Sequence, residues 1–284
     1  MAYLTTLLTF HNCKRMRAEA YRFSGKDAAN YEQYLGPILF ESSAVAFIPY
    51  LTALSASAIL ETSCGTGRLT RHLRNSFPST TPLTATDLSS DMMQLAQEKL
   101  QGQPVHFLVA DVQQLPFPDA SFDLVVNQYG LMFIPDKAKA FAEAYRVLKP
   151  GGHFVFATWE RTTDIPLVKM VIDDHVLPFF EGEDTTRFVQ PYSMHDPRAL
   201  LALLQEAGFT HNRIMLVEFP GSAASALDVV NGFFARHPLG GAVKEKDPAA
   251  FNRIAAQIEA ALIARFGPGA FGFTLKAWLG IGQK

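Results

Sequence analysis

A chain of 284 residues with 48% hydrophobic and 18% charged residues has the composition of a packed globular protein, too apolar to stay disordered. Lys and Arg total 25 against 27 Asp and Glu, a formal net charge of -2, so the basic excess that binds nucleic-acid phosphates is missing and no such partner is expected. The two cysteines, Cys13 and Cys64, make neither a disulfide framework nor a zinc pattern, and the expectation is a reducing, cytoplasmic setting without a bound metal.

Residues 1–50 read as an uninformative leader followed by a helical cap segment, and 51–284 as the main domain with inserts at about 160–195 and 222–266. The first ten residues are mildly apolar but lack a basic start and a cleavage site. Met16 is an alternative start, and Lys14-Arg15-Met16-Arg17 is the one compact basic cluster. Apolar runs fall short of the roughly 20 residues that span a bilayer, so no membrane span is expected.

From residue 57 to 158 short apolar runs alternate with amphipathic stretches, the βαβ pattern of a parallel sheet. Strands are expected over 58–60, 83–86, 105–110, 122–126 and 153–158, with helices over 69–76, 90–100 and 137–148. Lys149-Pro150-Gly151-Gly152 stops the last of these helices. Further on, a helix over 166–177 and one opened by Asp196-Pro197 and closed by Gly208 precede a strand over 213–219. Residues 222–266 read as helical, with a second start at Asp247-Pro248, and 271–281 as the last strand. The predicted fold is α/β: a doubly wound, mostly parallel seven-stranded sheet with an antiparallel last strand and helical cap insertions.

Four of the first strands end beside polar residues, Glu61, Asp87, Asp111 and Asn127, at the end of an open α/β sheet where ligands bind. Between the first strand and helix lies Glu61-Thr62-Ser63-Cys64-Gly65-Thr66-Gly67, whose glycines allow a tight turn and close approach of a flat ligand. Asp87 follows Gly67 by 20 residues, where a carboxylate accepts from both ribose hydroxyls; the plain alternative is a helix N-cap. Asp111 can accept from an adenine amino group, or be a solvated loop acid. A nicotinamide enzyme would want a small residue at position 70, which is Thr70.

Taken together these blocks resemble the class I S-adenosylmethionine-dependent methyltransferases, especially the group that includes the ubiquinone and menaquinone biosynthesis enzymes. The resemblance runs through the Glu61–Gly67 loop, Thr86-Asp-Leu-Ser-Ser-Asp-Met-Met93 and Ala110-Asp-Val-Gln-Gln-Leu-Pro-Phe117. It continues in Ser121-Phe-Asp-Leu-Val-Val126 and Tyr145-Arg-Val-Leu-Lys-Pro-Gly-Gly152, and covers about residues 55–160. It implies a Rossmann-like fold and S-adenosyl-L-methionine as cofactor. Glu61, Ser63, Gly65 and Gly67 would lie along its methionine and ribose parts, and Asp87 would hold the ribose. Leu88 and Met92 would pack on the adenine, Asp111 and Val112 would hydrogen-bond it, and Asn127 would sit near the reacting end. The family usually has Asp at position 61 and often Gly at 63; Ser63 puts a side chain in the loop.

A sulfonium is a good leaving group, so the transfer needs alignment and exclusion of water more than a fixed acid–base set. Candidate liners of the acceptor site are Gln128 and Tyr129 after the fourth strand, Trp159 after the fifth, and Tyr31 and Tyr34 in the N-terminal segment that begins at Phe23-Ser24-Gly25. His175 and His195 read as packing or surface residues. Phenylalanines in the inserts, Phe188 and Phe233 among them, suit an apolar or aromatic small-molecule acceptor and equally suit the inserts' own core. The expectation is methyl transfer to such a molecule, with C-methylation of an isoprenoid quinone precursor as the alternative; a cofactor-binding protein without turnover stays open.

Overall fold

The computed structural model describes residues 26–284. The leader, Cys13, the Lys14–Arg17 cluster, the alternative start at Met16 and the segment Phe23-Ser24-Gly25 lie outside the described residues.

Seven strands form one sheet: β1 (Ile59–Thr62), β2 (Leu83–Asp87), β3 (His106–Val109), β4 (Phe122–Gln128), β5 (Leu148–Trp159), β6 (Thr210–Ala223) and β7 (Phe271–Gln283). Their order is β3-β2-β1-β4-β5-β7-β6, with β1 to β5 parallel and β7 antiparallel to both β5 and β6. β1 lies inside the sheet between β2 and β4 and is buried throughout, which is why Ile59 and Leu60 follow one another without alternation. The order reverses between β1 and β4, so the loops leaving those two strands part and open a crevice at their carboxyl ends.

The helices are α1 (Lys26–Asn30), α2 (Glu41–Thr52), α3 (Arg68–Ser76), α4 (Ser90–Lys99), α5 (Lys137–Val147), α6 (Pro166–Val171), α7 (Thr186–Val189), α8 (Pro197–Glu206), α9 (Ala226–Val230), α10 (Pro238–Lys246) and α11 (Pro248–Phe266). Both Asp-Pro starts behave as capping chemistry predicts: Asp196 accepts from Arg198 N at 2.9 Å, and Asp247 from Ala249 N at 2.9 Å and Ala250 N at 3.1 Å.

The inserts differ from the expected regular helices. The helix over 166–177 stops being α-helical after Val171 and continues as a π-helical turn, Ile172–Val176. Residues 222–266 are not one helical run: β6 extends to Ala223, and α9 passes into a second π turn, Asn231–Ala235, before α10 and α11. A third π segment, Tyr31–Phe40, joins α1 to α2. Apolar periodicity does not distinguish an α turn from a π turn, whereas wider turns inside helices recur at functional sites.

Among the described residues one helix is long and apolar enough, by length and composition alone, to cross a membrane: Asp27–Thr52, 26 residues in all. Glu32 and Glu41 interrupt its apolar run in the sequence. In the fold its apolar face meets protein, with Ala44, Phe47 and Leu51 buried and the Phe47 ring 5.8 Å from Phe219 of β6. Both of its glutamates are paired: Glu32 with Arg68 and Lys99, both at 2.8 Å, and Glu41 with Arg68 at 3.0 Å and Arg71 at 2.5 Å. Arg68 is only 12% exposed, so this linked network fastens the cap helix to α3 more firmly than isolated surface pairs would. Gly36 makes the crossing possible, because a Cβ there would stand 2.3 Å from the Arg68 guanidinium.

Candidate active site

A cavity of about 1130 Å³ lies at the carboxyl ends of the parallel strands. Single-ligand sites are usually about 300–1,000 Å³, so there is room for more than one molecule. One part is walled by residues after β1, β2 and β3, and the other by aromatic side chains after β4 and β5 and from the inserts.

In the first part, the chain leaves β1 through Ser63 (φ 55°) and Gly65 (φ 56°), both in the left-handed region. A Cβ on Gly65 would meet nothing within 4 Å, so the loop backbone there faces open space. Asp87, at the end of β2, ties the loop down: one carboxylate oxygen accepts from Gly65 N and the other from Ser89 N, both at 2.8 Å. The N-cap of α4 is Ser89, which accepts from Met92 N at 3.3 Å, so Asp87 is not the cap. Burial raises the Asp87 carboxyl above the usual range, while the N–H groups of Ser89, Gly65 and Leu88 pull the other way. Asp111 accepts from Gln113 N at 2.8 Å and, beside Val112, lines the same part of the cavity as Leu88 and Met92.

Glu61 stands behind the loop and is 2% exposed. Its Oε2 has no hydrogen-bond partner among the described residues, and burial, with the charge of Asp87 adding, pushes its carboxyl up to about 8. Such a carboxyl is held protonated at neutral pH for want of a cation.

Of the predicted cofactor residues, Ser63, Gly65, Asp87, Leu88, Met92, Asp111 and Val112 line the cavity; Glu61, Gly67 and Asn127 do not. Gly67 starts α3 with φ 77°. Asn127 is fully buried and is a clamp: its amide donates to Thr62 Oγ1 at 2.9 Å and Ser63 Oγ at 3.3 Å, and its oxygen accepts from Gly130 N and Leu131 N at 3.1 Å. The clamp joins the loops after β1 and β4, and it explains how Ser63 is tolerated. A Cβ on Gly130 would lie 2.3 Å from Ser63 Cβ, so the missing side chain at 130 makes room for the one at 63. Gly130→Ala is therefore expected to cost about 2–3 kcal/mol, and Ser63→Gly in the same chain to recover most of it. Urea unfolding of the two single variants and the double one measures that coupling; simple additivity would show that the two positions do not compete for space.

In the second part, Tyr129 and Trp159 stack face to face, centroids 3.9 Å apart and planes within 2°. Tyr129 holds φ 57°, a costly conformation for an aromatic residue, and its hydroxyl sits 2.6 Å from Ser43 Oγ, which also accepts from Gln128 Nε2 at 3.1 Å. Burial keeps the Tyr129 and Tyr31 hydroxyls protonated. Phe40 packs edge-on to the stack, and Phe188, Tyr192 and Phe233 line the cavity from the inserts. Of the candidate acceptor-site liners, Tyr31, Gln128, Tyr129 and Trp159 line the cavity; Tyr34 does not, and lies under the Arg236 guanidinium, 5.6 Å from its ring centre.

His175 and His195 make backbone contacts outside the cavity, through Nδ1 to Met170 O at 2.6 Å and to Tyr192 O at 2.7 Å. The histidine that does line it, His237, escaped the sequence reading. Its signal was His237-Pro238, the same cap-then-proline start seen at 196 and 247.

A methyltransferase-domain family model matches residues 60–156. The chain is 33% identical to the demethylmenaquinone methyltransferase of Lactiplantibacillus plantarum over 189 residues, 60% of this chain and 77% of that one. It is 32% identical to a ubiquinone/menaquinone biosynthesis C-methyltransferase of an Enterobacter species over 163 residues, 53% of this chain and 65%, just under two thirds, of that one. Among solved structures, the YcgJ protein of Bacillus subtilis superposes with a TM-score of 0.56 at 19% identity over 85% of this chain and 97% of its own. A phosphoethanolamine N-methyltransferase of Haemonchus contortus superposes with a TM-score of 0.58 at 15% identity, over 93% of this chain and 58% of its own. The chain belongs to the class I S-adenosylmethionine-dependent methyltransferases. The residues present fit that cofactor: an open glycine loop, acids closing β2 and β3, and a buried carboxyl lacking a cation.

Proposed function

We propose that this methyltransferase acts on a small, largely apolar aromatic molecule bearing oxygen, and that an isoprenoid quinone precursor, methylated at carbon, is the first candidate. The observation that carries the reading is the wall formed by the Tyr129–Trp159 stack with Phe40, Phe188, Tyr192 and Phe233. A flat ring is the ligand such a wall holds best. The carboxylates on the cavity, Asp87, Asp91 and Asp111, come from the end of β2, the first turn of α4 and the loop after β3, and none belongs to that aromatic wall, which offers an ammonium acceptor no counter-charge of its own. The names of the two bacterial relatives point to quinone rings as well.

Bound S-adenosylmethionine supplies an electrophilic methyl group on a sulfonium. The chain supplies the rest: Asp87 orders the glycine loop and offers its carboxylate to the ribose, while Glu61 offers a charge to the cationic end. The aromatic wall holds the acceptor flat, and the inserts with the Asp27–Thr52 helix exclude water.

The test is transfer of label from methyl-labelled S-adenosylmethionine to a panel of acceptors. It sets a short-chain demethylmenaquinol and simple phenols against phosphoethanolamine and histamine. Label on the oxygenated rings is expected; label on the amines alone would overturn the reading.

A further inference from the structure

The His237 ring stands in the cavity wall between the apolar residues Phe233 and Leu239, half-buried with a surface on the cavity. As the N-cap of α10, its Nδ1 accepts from Leu239 N at 3.2 Å. That bond commits the Nδ1 lone pair, so the proton of the neutral ring sits on Nε2. Burial holds the ring neutral, lowering its pKa to about 4, with no charged neighbour contributing. No described residue pairs with Nε2.

Such a histidine is a donor and not a base. Nε2 carries a hydrogen and has no lone pair for an acceptor's proton, and Nδ1 is occupied. A donor without a protein partner, set between apolar neighbours, favours a ligand that brings an acceptor atom to it, because a ligand without one leaves the N–H unpaired and dry. Resting on the aromatic-acceptor reading above, we infer that His237 is a specificity-determining residue: its Nε2–H donates a hydrogen bond to an oxygen of the acceptor ring and so fixes the ring's orientation in the cavity.

The test separates this role from simple capping. His237→Asn keeps the cap, since an Asn side-chain oxygen can replace Nδ1, but leaves the position of Nε2 empty. His237→Gln loses the cap yet carries an amide N–H to about the reach of Nε2. With the protein saturated in S-adenosylhomocysteine, 1-naphthol and naphthalene are titrated calorimetrically as probes of the same shape, with and without an oxygen.

The wild type is expected to prefer 1-naphthol by about five- to tenfold. His237→Asn is expected to lose that preference, with naphthalene affinity and melting temperature unchanged, and His237→Gln to keep part of it. Preference retained in His237→Asn would overturn the assignment, as would equal loss of both probes, which marks a structural role. No preference in the wild type would overturn it and leave the aromatic-acceptor reading standing. Binding of neither probe by the wild type would overturn both.

Discussion

Glu61→Gln is expected to weaken S-adenosylhomocysteine binding by at least about tenfold at pH 8 while making the ligand-free protein less sensitive to rising pH. The same buried carboxyl causes both effects. Free, it has a pKa of about 8 because it is buried beside Asp87 with Oε2 unpaired. In the unfolded chain a glutamate titrates near 4.3. Between those values the folded state holds a proton that the unfolded state has released, so the stabilising proton is fully present below about pH 4.3 and its benefit is lost as pH rises through 8. The glutamine variant has no such slope. The difference in melting temperature, variant minus wild type, should therefore widen by roughly 4 °C or more from pH 5 to pH 8.

Binding runs the other way. The amino acid end of the cofactor carries an ammonium that favours the ionised carboxyl, so binding releases a proton below pH 8, and affinity rises with pH up to about that value. Calorimetry in buffers of different ionisation enthalpy reads the released proton directly. A wild type that releases none, with a variant that binds as tightly, would mean that Glu61 only packs.

What could be read from the sequence was decided by local rules. Strand ends, the glycine loop and the Asp-Pro helix starts depend on residues within a few positions of one another, and the structure has them within a few residues of the expected places. β6 and β7 proved longer than predicted, Thr210–Ala223 and Phe271–Gln283, because their pairing with each other extends both. The π turns were invisible for a different reason: all three contribute cavity residues, Tyr31 and Leu35 from one, Ile172 and Phe233 from the others, and the shape they serve comes from contacts between segments far apart in the chain.

The site divides along the same line. Asp87 and Gly65 follow from spacing, but the bond between them does not. The resemblance implies a place for Asn127 near the reacting end of the cofactor, while its amide group joins the strand end to its neighbour through Thr62 Oγ1 and Gly130 N, a role that spacing does not reveal. Ser63 puts a side chain in the loop where the family often has glycine, and the space for it comes from Gly130, 67 positions on.

Asp87→Ala is expected to cost more than tenfold in S-adenosylhomocysteine affinity, and about a hundredfold if both of its roles count. The carboxylate holds Gly65 N and Ser89 N, so its removal leaves two backbone donors without partners as well as the ribose without an acceptor; hydrogen bonds to a charged group are worth about 1.5–3 kcal/mol each. Asp87→Asn keeps one acceptor oxygen but turns an amide group toward the other N–H, and should fall between the wild type and the alanine variant. The two roles separate with an analogue of S-adenosylhomocysteine lacking both ribose hydroxyls. If the ribose contact dominates, the analogue binds weakly to the wild type and Asp87→Ala weakens it little further. If the loop dominates, the variant loses the same factor with either ligand, because a disordered Gly65 penalises both. Unchanged affinity for S-adenosylhomocysteine itself would place the ribose away from β2, and with it the cofactor's whole course across the strand ends.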